Sequence, residues 1–169
     1  MNIKKLTALL LAAAMILSLA ACSTQGDDTK TQAGTGSYSA DAAFTFTGSA
    51  ITATGESSGY EIDGTHLTIE ASGTYLLSGE CSDGSVEVKK GTTGVTLILD
   101  GLELESAEGA PISCNKSTEV SILAAEGSVN SLSDSEKNND DEYPDNENAE
   151  NAVIKCKDGS QVRFVARAL

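Results

Sequence analysis

The residues with the most obvious chemistry lie between Asp134 and Asn151. Eight carboxylates (Asp134, Glu136, Asp140, Asp141, Glu142, Asp145, Glu147 and Glu150) stand there against Lys137 alone, a net charge of −7. Five asparagines, Asn138, Asn139, Asn146, Asn148 and Asn151, are interleaved with them. Hard cations such as Ca²⁺ take six to eight oxygen ligands, and clustered Asp, Glu and Asn supply that chemistry. Counted from Asp134, an EF-hand-like register uses Glu136, Asn138, Asp140, Glu142 and Asp145, but Asn139 stands where glycine is required. Composition therefore nominates Asp134, Asp140, Asp141 and Asp145 as calcium ligands, while the bland alternative is a solvated acidic loop.

Other chemistry is thin. His66 is the single histidine, so any serine or cysteine relay depends on it, and it reads more simply as a polar strand residue. Zinc has no His/Cys spacing in its favour. Carboxylate pairs for glycoside hydrolysis exist in number, with nothing to fix their separation. No glycine-rich phosphate loop is present.

The charge balance narrows the partners. The 169 residues carry 25 acidic and 11 basic side chains, a formal charge of −14. Residues 1–21 hold Lys4 and Lys5 and no acid, so the remainder stands at −16. Such a chain lacks the basic face that nucleic acid or an anionic bilayer requires. Aromatic residues make up 4% and Trp is absent, which disfavours a broad stacking platform for flat sugars.

Three segments position the rest. Residues 1–21 read as an export signal, with Lys4-Lys5 before an apolar run from Leu9 to Leu19 that is too short to span a bilayer. Leu19-Ala20-Ala21-Cys22 has the form of a bacterial lipobox, with Cys22 lipidated and the protein held at the outer face of the cell membrane. A plain secretory signal is the alternative. Residues 22–41 are small and polar and read as a flexible tether. The domain, all-β, occupies residues 42–169.

Within it, short β-branched runs are punctuated by glycine, with no stretch of helical period. The runs also repeat. Val86-x-Val88 precedes Val95, Ile112-x-Cys114 precedes Val120, and Ile154-x-Cys156 precedes Val162. The offsets are 26 and then 42 residues, which is one period with a 16-residue insertion, the acidic segment. That is the signature of a solenoid with a projecting loop, here a parallel β-helix of few coils. An antiparallel sandwich is the alternative. In this alignment Cys114 and Cys156 share an inward position on successive coils. They are within disulfide range, although small buried hydrophobes are the preferred reading.

Three motifs carry a family resemblance. They are Tyr60-Glu-Ile-Asp-Gly-Thr-His-Leu-Thr-Ile-Glu-Ala-Ser-Gly-Thr-Tyr-Leu-Leu-Ser-Gly-Glu80, then Val95-Thr-Leu-Ile-Leu-Asp-Gly-Leu-Glu-Leu104, then Val120-Ser-Ile-Leu-Ala-Ala-Glu-Gly-Ser-Val-Asn-Ser-Leu-Ser-Asp134. In this order they resemble the carbohydrate-binding domain family of clostridial-type surface lipoproteins. The resemblance implies a right-handed, pectate-lyase-like parallel β-helix. It also implies a plant cell-wall polysaccharide as partner, acidic (polygalacturonate) or cellulosic, with Ca²⁺ assisting and no catalysis. By position it marks Asp100, Asn130 and Asp134 as polar site residues. After Val162 the family pattern implies further coils, so a C-terminally truncated form is expected.

Two alternatives remain. One is a lyase that draws a base from Lys89, Lys90, Lys116, Lys155 or Lys157. The other is a surface adhesin without a sugar ligand.

Overall fold

The computed structural model describes residues 38–165 apart from 56, 57, 140 and 150. The expected signal segment, Cys22, the tether as far as residue 37, and Asp140 lie outside the described residues. The described residues form twelve strands and no helix.

Strands β1 (Ala42–Thr47), β2 (Ala50–Gly55), β5 (Gly73–Cys81), β7 (Val95–Ser106), β9 (Glu119–Ala124), β10 (Ser131–Asp134) and β12 (Gln161–Val165) make one sheet. Its order is β12-β9-β7-β5-β1-β2, with β10 beside the second half of β7. Strands β3 (Tyr60–Asp63), β4 (His66–Ile69), β6 (Ser85–Val88), β8 (Ile112–Cys114) and β11 (Ile154–Cys156) make the other, ordered β11-β8-β6-β4-β3.

The period read from the sequence is the register of the parallel ladders. Val86, Ile112 and Ile154 are direct neighbours on β6, β8 and β11. Val95, Val120 and Val162 are neighbours on β7, β9 and β12. Both sheets are mixed, however, because β1–β2 and β3–β4 pair antiparallel. Two-residue turns at Gly48-Ser49 and Gly64-Thr65 cause this. Gly64 has φ +60, the left-handed first position that a tight hairpin demands.

Side chains alternate across each pleat, so every second residue points between the sheets. Tyr75, Leu97 and Ile122 from one sheet and Leu67, Val86 and Ile112 from the other join a single buried cluster. Phe44 anchors its N-terminal end, edge-on to Tyr60 at 4.7 Å between ring centres. Each such aliphatic side chain contributes about 1.5–3 kcal/mol when taken fully from water. A second small cluster, Leu76, Ile98 and Ala125, lies apart from it, with Tyr38 and Ala40 packed against it.

Cys81, Cys114 and Cys156 are free thiols. Cys114 is the buried hydrophobe expected of it, but its register partner Cys156 is exposed. Strand β11 is the edge of its sheet, so Cys156 has a neighbouring strand on one side only.

Candidate functional site

The insertion buries Asn138, half-buries Asn139, Asn146 and Asn148, and leaves most of its acids exposed. Asn138 is fully buried; its backbone carbonyl accepts from Asn151 N–H at 2.5 Å and its Nδ2 donates to Asp134 Oδ2 at 3.2 Å. Asn139 Oδ1 accepts from the backbone N–H of Asp141 and of Glu142, a self-made turn. Asn146 Nδ2 donates to the Glu108 carbonyl at 2.5 Å. Glu136, Asp141, Glu142, Asp145 and Glu147 are exposed. The asparagines fit the interior because an amide carries donor and acceptor without a charge to desolvate.

The insertion reaches the five-stranded sheet through Glu87. Thr68, Glu87, Ser113 and Lys155 are successive neighbours across β4, β6, β8 and β11, alternating with the core-facing positions. Glu87 Oε1 accepts from Asn115 Nδ2 at 2.6 Å, and Oε2 accepts from Asn148 Nδ2 at 3.2 Å. Ala110 N–H donates to the Asn148 carbonyl at 3.1 Å, which closes the attachment.

A polar groove results. Its first part, about 330 Å³, is lined by His66, Asp83, Ser85, Glu87, Asn146 and Asn148 among others. His66 Nδ1 and Ser85 Oγ are 2.9 Å apart. Its second part, about 430 Å³, shares Glu87 and Asn148 and adds Lys90, Asn115, Lys116, Glu147 and Lys157. Asn148 Oδ1 is buried without a hydrogen-bond partner among the described residues.

The lysines come from one repeated turn. Lys89-Lys90-Gly91-Thr92, Asn115-Lys116-Ser117-Thr118 and Lys157-Asp158-Gly159-Ser160 follow β6, β8 and β11 in register. Gly91 N–H donates to the Lys116 carbonyl, and Ser117 N–H to the Asp158 carbonyl. The third residue of each turn is left-handed, with φ of 79, 60 and 73. These turns deliver Lys90, Lys116 and Lys157 to one edge of the groove. Lys89 is drawn aside by Glu70 at 2.5 Å, and that hydrogen bond raises its pKa. Lys157 Nζ lies 3.1 Å from Glu147 Oε2, and the bond to Lys157 lowers the Glu147 pKa.

The residues expected to hold calcium are not gathered. Asp134 faces Ser106 in register, six residues along β7 from Asp100 and beyond the left-handed turn at Gly101. Asp100 is buried, its Oδ2 has no partner among the described residues, and burial raises its pKa. Asn130 has a structural task. β7 carries one residue more than β5 between Leu99 and Leu102, and Asn130 pins this bulge. Its Oδ1 accepts from Leu102 N–H at 2.8 Å and its Nδ2 donates to the Leu99 carbonyl. Asp141 and Asp145 are exposed on the insertion. Among the described residues no three acidic, His or Cys side chains converge on a point. Asp100, Asn130, Asp134, Asp141 and Asp145 are thus dispersed over the described residues, and Asp140 lies outside them.

Sequence reasoning missed Glu87, the residue that joins insertion to sheet. Its signal was the outward position of the Val86-x-Val88 repeat.

The chain is 28% identical over 164 residues to a carbohydrate-binding domain-containing protein of Acetivibrio thermocellus. The match covers 96% of this chain and 55% of that protein, so the chain spans about half the length of the relative. No solved structure matches. Both the relative and the family are named for binding rather than for catalysis. The profile of that family covers residues 63–162, and the chain belongs to the carbohydrate-binding domain-containing protein family.

Proposed function

We propose that the groove between the insertion and the five-stranded sheet binds a polysaccharide without chemical change, and that the preferred polymer is acidic. The observation that carries this reading is the convergence of Glu87, Asn148, His66 and Ser85 beside a row of lysines. Amide, hydroxyl and carboxylate groups match sugar hydroxyls, and lysine matches a uronate carboxylate. Lys90, Lys116, Lys155 and Lys157, four of eleven basic side chains, sit at this one place on a chain of −14. Cellulose is the weaker candidate, because Tyr60 and Tyr75 pack with the core and no aromatic side chain lines the groove.

The proposal extends to setting. The successive units β4–β5, β6–β7, β8–β9 and β11–β12 are read as coils of a right-handed β-solenoid capped by the antiparallel β2 and β3. The domain is read as displayed at the outer face of the cell membrane through Cys22.

Retention on polygalacturonate, on its fully methyl-esterified form and on insoluble cellulose tests the function. Strong retention on the first and weak retention on the other two is expected, unchanged by EGTA. Equal retention on the esterified polymer would sink the acidic preference, and no retention on any of the three would sink the function.

A further inference from the structure

We infer that the lysine row is a carboxylate subsite already occupied by the protein's own Glu147, which competes with an acidic ligand. This rests on the proposed binding of an acidic polysaccharide in the groove.

Glu147 is placed as a ligand would be. Its side chain is 86% exposed, while that of Lys157, which holds it, is only 13% exposed. A carboxylate so exposed has no packing to keep it there. Lys157 is the main cause of its lowered pKa, and Lys116 and Lys155 add to the effect, so the field of several lysines converges on one carboxylate. The backbone is fixed separately, because Lys155 Nζ donates to the Glu147 carbonyl oxygen. The main chain therefore stays in place when the carboxylate swings out. Lys90 and Lys116 line the same cleft and have no ion pair among the described residues.

Displacement is cheap. The pair is open to solvent on its carboxylate side, and pairs so exposed contribute little net stability, so a uronate entering the row replaces Glu147 at small cost. Glu147 lowers affinity twice over: it occupies Lys157, and it repels a polyanion. Loss of its charge is worth about a two- to five-fold gain in affinity on the scale of exposed pairs.

The test measures binding of polygalacturonate by titration calorimetry to the wild type, Glu147→Gln and Glu142→Gln. The last removes one exposed acid from the same insertion and controls for net charge. Thermal unfolding checks that each is folded. Tightening of two- to five-fold for Glu147→Gln, with Glu142→Gln unchanged, is the expected result. Wild-type binding that Glu147→Gln leaves equal or weaker overturns the competition and leaves the polysaccharide reading standing. Equal tightening by both variants also overturns it, since net charge then suffices. Binding by Glu147→Gln alone supports it in its strongest form. Binding by none of the three overturns both.

Discussion

Cys114 and Cys156 stand in register on the parallel pair β8–β11, yet Cys114 has no exposed surface and Cys156 is exposed. Burial, with its neighbour Cys156 adding to the effect, pushes the Cys114 thiol up from 9.0 to about 12. An acid whose folded pKa is raised binds its proton more tightly in the folded state. Its contribution is complete below pH 9 and is lost as the pH climbs to about 12, where the unfolded chain gains thiolate that the folded chain cannot. Cys114→Val, which copies Val88 on the preceding strand, is expected to remove that part of the alkaline loss. Urea unfolding of both proteins at pH 8 and pH 10.5 checks it, and parallel losses would refute it.

Ser117 is a second place where a repeat departs from its own pattern. Gly91 and Gly159 hold the left-handed turn position in the neighbouring units, and Ser117 holds it at φ 60. A side chain there costs roughly 1–2 kcal/mol, partly offset because glycine loosens the unfolded chain. Ser117→Gly is expected to be neutral to about 1 kcal/mol more stable, and Gly91→Ala about 1 kcal/mol less stable. Thermal midpoints of the two variants decide it. A clearly less stable Ser117→Gly contradicts the argument.

The repeat was legible because a parallel ladder stacks like on like. Val86, Ile112 and Ile154 are chemically equivalent, so their spacing alone revealed the register later seen in the sheets. The antiparallel start was announced by Asp63-Gly64, a hairpin signal between Ile62 and Leu67, which a repeat starting at Val86 does not include. The candidate site was legible in position but not in role. Counting charge drew attention to Asp134–Asn151, and Asn146, Glu147 and Asn148 of that segment line the groove. Counting cannot show that Asn138 is buried and Asn148 bonds to Glu87 while most of the acids face solvent. Asp100 and Asn130 were marked by resemblance, but one is buried by the β7 bulge and the other pins it. Glu87 could be marked as an outward repeat position but not given a role, because its significance comes from Asn148, 61 residues away.

Position within a ladder predicts opposite costs for two apolar residues. Leu97 and Phe164 share one row, separated by Ile122. Leu97 has no exposed surface, whereas Phe164 is 67% exposed on the edge strand β12. Leu97→Ala deletes buried methyl groups and leaves a cavity, so a loss of about 2–5 kcal/mol is expected. Phe164→Ala removes mostly solvated surface and is expected to change stability by about 0.5 kcal/mol or less. Urea denaturation of both tests the ladder, and comparable losses would show that β12 is not an edge.

Glu87 links stability to the groove. Its two carboxylate oxygens bind Asn115 and Asn148, so Glu87→Ala leaves two amide donors without their acceptor in a part-buried place. Hydrogen bonds to a charged group are worth about 1.5–3 kcal/mol each, and part of that is recovered when water enters. Much of the insertion's attachment survives the substitution, because Asn146 still donates to the Glu108 carbonyl and Ala110 N–H to the Asn148 carbonyl. The expected change is therefore local: the insertion loosens while the ladders stay folded. Amide exchange reads this directly. Ala110 N–H, which bonds to the insertion, is expected to exchange at least ten-fold faster in Glu87→Ala. Val86 N–H, bonded to the Pro111 carbonyl, is expected to keep most of its protection. Glu87→Gln retains one acceptor oxygen and is expected to fall between the two. Uniform acceleration across both amides would mean that Glu87 supports the whole fold, and the groove could then not open separately from the domain.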